Sequence, residues 1–142
     1  MAAKRVTRGY IARRAEFAEL VGNIERALGA ELGEIQSSFD EAARFVDAEY
    51  DTEIGKAAAQ FAEKSESLCG ARAGRTRFGP NRERLRAQVA SLASAMEARV
   101  RAVEGQRAVE HRNLRELLAR ANASSSLAAD AAIERARASL GL

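Results

Sequence analysis

The 142-residue chain has no tryptophan, one proline, one cysteine and one histidine. Each shortage closes off a class of protein. With Pro80 as the sole proline, the chain is nearly free of the residue that breaks helices, which points to an all-α fold. The lone Cys69 rules out an internal disulfide framework and fits a reducing, intracellular setting such as the cytoplasm. His111 has Ala108 three residues before it, so the Glu-x-x-His motif of di-iron bundles is missing. No His/Cys cluster suits a metal, and no cofactor is expected. No apolar run nears the ~18 residues of a membrane span. The start, MAAKRVTRGYIARR, has no apolar core behind its basic residues and so does not read as a secretory signal. It has the arginines of a mitochondrial presequence but no serine. Hydrophobic residues make up 46% of the chain, but alanine supplies much of that share. Narrow apolar stripes are therefore expected in place of a thick core.

What is plentiful is charge, and it comes in blocks. Residues 1–14 carry +5, from Lys4, Arg5, Arg8, Arg13 and Arg14. Residues 15–70 carry −9, residues 71–86 carry +5, and residues 87–142 carry +2. Alternating blocks of this kind suit association with a second copy of the same chain. Of the 23 bases, 20 are arginine, the side chain that grips carboxylates and phosphates in a bidentate manner.

The second abundance is a rhythm. From residue 17 the apolar residues recur every eleven, at steps of four, three and four. The first place holds Phe17, Leu28, Phe39, Tyr50 and Phe61. The fifth holds Val21, Leu32, Ala43, Ile54 and Ser65. The eighth holds Ile24, Ile35, Val46, Ala57 and Leu68. The mean step of about 3.67 residues lies close to the 3.6 of a straight α-helix, so the stripe stays on one face with a slight right-handed drift. This predicts one helix over roughly residues 8–69, about 90 Å long at 1.5 Å per residue. Ser38-Phe39-Asp40-Glu41 could cap a new helix. The phase passes through it unbroken, and continuity is the expectation. Gly22, Gly29, Gly33 and Gly55 each weaken a helix by about 1 kcal/mol relative to alanine, so this one needs a partner.

The clear break is GARAGRTRFGPN, residues 70–81, where Gly70 can close the first helix and Pro80 can enter the first turn of the next. The elevens then resume as Leu85, Val89, Leu92, Met96, Val100 and Val103. They decay to polar residues at Arg107, His111, Asn122 and Ser125, with Leu114 and Leu118 between. NASSS, residues 122–126, reads as a kink or end before a short last helix over 127–140. The expected plan is a basic head (1–14), a long acidic helix (15–70), an Arg-rich loop (71–81), a second helix (82–122) and a short C-terminal helix (123–142). A loop of that length allows an antiparallel helical hairpin.

Sites of chemistry are scarce. GARAGRT has too few residues between its glycines for a phosphate loop, arginine where lysine is needed, and no preceding strand. Asn122-Ala123-Ser124 is a glycosylation sequon only in form. Cys69 has neither a resolving cysteine nor a histidine to activate it. The acid pairs Glu31/Glu34 and Asp47/Asp51 read as a solvated or ion-paired face, since catalytic carboxylates need a cleft that separates their pKa values. An enzyme is not expected. A flat-lying membrane helix is disfavoured because the −9 segment would be repelled by anionic lipid.

Two features remain as candidate sites. One is a helix–helix seam of Phe17, Val21, Ile24, Leu28, Leu32, Ile35, Phe39, Val46, Tyr50, Ile54, Phe61 and Leu68 with Leu85, Val89, Leu92, Met96, Val100 and Val103. The other is a basic docking loop of Arg72, Arg75, Arg77, Arg82, Arg84 and Arg86, interrupted by Phe78. The sequence therefore reads as a structural, self-assembling helical protein, a filament subunit or rigid component of the cytoskeletal kind. Its partners would be copies of itself or other helical proteins. The alternatives are packaging of nucleic acid by the Arg-rich head and loop, and an adaptor on an acidic polymer such as a microtubule.

Overall fold

The computed structural model of the chain describes residues 2–72 and 80–142. Two α-helices account for almost all of them: α1, Ala2–Arg72, and α2, Pro80–Ser139. They pack against each other as an antiparallel hairpin, with no strand among the described residues. The fold class expected from the eleven-residue phase is the one observed.

The element boundaries differ from expectation in three places. The basic head is not a separate piece, because α1 is helical from Ala2. α1 also runs through Gly70 to Arg72, and α2 opens at Pro80 itself, the position where a fixed φ and a missing N–H suit a helix. The third difference is the largest. α2 continues without interruption through residues 122–126, so there is no separate C-terminal helix. The reason is that the elevens do not stop. Leu118, Asn122, Ser125, Ala129, Ile133, Ala136 and Leu140 keep the phase of Leu85, and all are half-buried or buried. The predicted loop residues 73–79 lie outside the described residues.

The chain divides into two compact units. The first joins Met1–Glu41 to Leu114–Leu142. Within it, Ser125 Oγ donates to Glu31 Oε1 at 3.1 Å, and the Arg137 guanidinium lies 5.6 Å from the centre of the Phe17 ring. Arg13 Nη1 donates to the carbonyl of Leu140 at 3.4 Å. That carbonyl belongs to a helix end closed by Gly141, whose φ of 68° is left-handed. Gly141 N–H bonds to Ala138 O, and Leu142 N–H to Arg137 O. This is the pairing by which a left-handed glycine satisfies the last carbonyls of a helix.

The second unit is Ala42–Asn113. Here Asp47 faces His111, Tyr50 faces Glu110, Asp51 faces Arg107 and Gln60 faces Arg99. Numbers rise on α1 as they fall on α2, as an antiparallel register requires. Ala57, on the eighth place of the repeat, is the one apolar residue classed as buried among the described residues, at 4% exposure. It lines a crevice of about 140 Å³ with Phe61, Leu92 and Met96.

Candidate helix–helix interface

The seam arises because a 4-3-4 spacing puts three residues of every eleven on one side of a helix. All eighteen residues of the predicted seam are half-buried, twelve on α1 and six on α2. Ala43, Ser65 and Ala57, which share the phase, are likewise shielded. No large side chain is fully enclosed among the described residues. Two helices alone cover only one side of each other, so each large seam residue keeps an open edge.

Where the apolar pattern decays, the seam becomes polar and the register becomes specific. Arg107 and His111 occupy the first and fifth places of the α2 repeat and point at two carboxylates of α1. His111 Nε2 lies 2.7 Å from Asp47 Oδ1. Arg107 Nη2 donates to Asp51 Oδ1 at 2.5 Å, and its Nε lies 4.0 Å from Asp47 Oδ1. That Nε is buried and makes no hydrogen bond. The Arg107 side chain is 25% exposed and Asp51 is 68% exposed, so water weakens the pair. Its contribution belongs with surface ion pairs, at about 0.2–1 kcal/mol. What the pair adds is selectivity, since sliding α2 by one turn would leave a half-buried arginine on the seam without its carboxylates.

The other edge of the same unit carries a second set of bonds. Tyr50 Oη donates to Glu110 Oε1 at 2.8 Å. Arg99 Nη1 donates to Gln60 Oε1 at 2.7 Å, while Arg99 Nη2 lies 4.0 Å from Glu53. The hydrogen bond to Glu110 raises the Tyr50 pKa above its ordinary 10.0, with burial and the charges of Glu110 and Glu49 adding in the same direction. His111, read from sequence as interfacial or exposed, is interfacial. The acid pair Asp47/Asp51 is the ion-paired face expected of it. The pairing partners themselves were missed. A polar lapse at 107 and 111 on one helix, and carboxylates at 47 and 51 on the other, was the available signal.

The basic docking loop is only partly in view. Arg82, Arg84 and Arg86 stand exposed on the first turns of α2. Arg72 ends α1, and Arg75 and Arg77 lie outside the described residues. Cys69 is exposed near the end of α1. Among the described residues, no group of three or more His, Cys, Asp or Glu side chains has metal-binding geometry. No helix there is long and apolar enough to cross a membrane. Compared with protein-family models, curated proteins and solved structures, the chain matches none.

Proposed function

We propose that this chain is a structural, self-assembling helical protein that acts by geometry and not by catalysis, as a filament subunit or a rigid component of a larger assembly. The observation that carries this reading is the accessible surface, 10626 Å² for a chain of 15.3 kDa. A folded monomer of that mass exposes about 7,100 Å². The excess, about 3,500 Å², is surface that a compact fold of this mass would have buried and that further helices could cover. Half-buried seam residues and the alternating charge blocks support the same reading: the hairpin leaves apolar edges that more helices would cover. The net charge alternates in sign between long blocks of the sequence, which favours neighbours of the same kind laid in a fixed order.

Sedimentation and negative-stain microscopy of the purified chain across salt concentrations test the reading. Assemblies that weaken as salt rises are expected, since the Debye length is about 8 Å at 0.15 M. Changing Arg72, Arg75, Arg77, Arg82, Arg84 and Arg86 to Gln should loosen assembly, with little effect on a weak, unspecific affinity for DNA. The opposite result would favour nucleic-acid packaging: intact assembly, with loss of a salt slope near 5 from six phosphate contacts.

A further inference from the structure

Early in α1 runs a stripe of side chains that the hairpin does not use. Arg8, Ile11 and Arg14 stand three residues apart, so they are neighbours along one side of the helix. All three are exposed, Ile11 at 61%. Tyr10, 46% exposed, borders the stripe, and the Arg14 guanidinium lies 5.7 Å from the centre of its ring. Arg13 turns the other way, since its Nη1 donates to the carbonyl of Leu140 at the end of α2. At 3.6 residues per turn, Ile11 sits about 160° around the helix from Arg13. The stripe therefore faces away from α2.

Charge in this stretch has one sign. Residues 1–14 hold five bases and no acid, and the first acid is Glu16. A face made only to be solvated has no use for an isoleucine set between two arginines. A partner that offers only carboxylates or phosphates would satisfy Arg8 and Arg14 and leave Ile11 without an apolar bed. An anionic lipid surface offers both parts. Its headgroups attract the guanidinium groups, and the acyl boundary just beneath them takes up apolar side chains. Arginine suits that boundary because its aliphatic stem lies along apolar material while its charge stays in the headgroups. Tyrosine is enriched at the same depth.

We propose that residues 8–14 of α1, aided by the charges of Lys4 and Arg5 in the same run of sequence, dock on an anionic membrane surface, with Ile11 and Tyr10 entering the headgroup layer. The contact is peripheral, since no helix among the described residues can cross a membrane. The acidic block that begins at Glu16 is repelled by the same lipid and confines the contact to this stretch. A single short stripe gives reversible attachment, because lasting anchorage takes more than one signal. The inference does not depend on self-assembly.

The test is flotation of the full chain with two kinds of vesicle, phosphatidylcholine alone and phosphatidylcholine with phosphatidylserine in equal parts, at low and high salt. Binding to the anionic vesicles alone, lost at high salt, is expected. Each base near such a surface is worth about fivefold in binding, so Arg8→Gln with Arg14→Gln should weaken it by about 25-fold. Ile11→Ser leaves the charge unchanged and should weaken it by about fivefold or more. Arg82→Gln with Arg84→Gln removes the same charge from α2 and should leave binding as in the wild type. Circular dichroism checks that each variant folds. The chain has no tryptophan, so Ile11→Trp sets a single indole at the centre of the stripe. Its emission should shift to the blue on anionic vesicles and be quenched by lipids brominated on the acyl chains. No binding to anionic vesicles, equal binding to neutral ones, or an indole that stays in water would overturn the proposal. Two further results would overturn it and name another partner. DNA binding that depends on Arg8 and Arg14, without vesicle binding, would assign the stripe to nucleic acid. Self-association that weakens in the same double variant, again without vesicle binding, would assign it to a neighbouring chain.

Discussion

Two phenylalanines six residues apart on α1 should behave in opposite ways. Phe39 holds the first place of the repeat and is half-buried, while Phe45 is 72% exposed. Truncating a fully buried phenylalanine to alanine costs about 3–5 kcal/mol, and roughly half of that, about 1.5–2.5 kcal/mol, applies to a ring covered on one side. At about 2–4 °C per kcal/mol for a chain of this size, Phe39→Ala should lower Tm by about 3–10 °C. Phe45→Ala removes a ring that the single chain does not bury, and should change its stability by less than about 0.5 kcal/mol. The assay is thermal unfolding by circular dichroism over a protein dilution series. Binding between copies adds concentration-dependent stability. The Phe39 effect should persist at every dilution, because that ring is shielded within one chain. Equal losses at high dilution, or a Phe39→Ala variant that melts with wild type, would refute the assignment of faces from the eleven-residue phase.

A double-mutant cycle on Asp51 and Arg107 should give a coupling energy of about 0.2–1 kcal/mol, and the swapped pair Asp51→Arg with Arg107→Asp should recover most of the loss from either single change; zero coupling would contradict the register. With Tyr10→Phe leaving Tyr50 as the only tyrosine, absorbance at 295 nm should titrate above pH 10.0, and Glu110→Gln should lower that midpoint. Because the folded pKa is raised, the stability it contributes is fully present below pH 10.0 and is lost as pH rises through the folded value; a midpoint at or below 10.0 would remove the Tyr50–Glu110 bond from the solution structure. Gly33→Ala and Gly55→Ala place a Cβ where nothing lies within 4 Å, so each should raise stability by up to about 1 kcal/mol in a denaturant titration. A loss at either position would mean that the helix face there is already covered.

The helical class and the phase of the buried face on both helices were legible in the sequence. They are local properties: a residue's side of a helix follows from counting at 3.6 to 3.67 per turn, whatever lies opposite. Phe17 through Leu68 and Leu85 through Val103 could therefore be named before any partner was known. The sequence did not reveal the continuity of α2 past residue 122. Asn122 and Ser125 look like a helix end by composition and become seam residues only because Glu31 and its neighbours stand across from them. Arg107 and His111 look like decay of a pattern until Asp47 and Asp51 are brought opposite, 56 and 64 positions away. The outward position of Phe45 follows from the same phase. Which residues meet across a hairpin depends on how the chain closes on itself, and that non-local choice is settled by summed packing and charge pairing that no window of eleven residues contains.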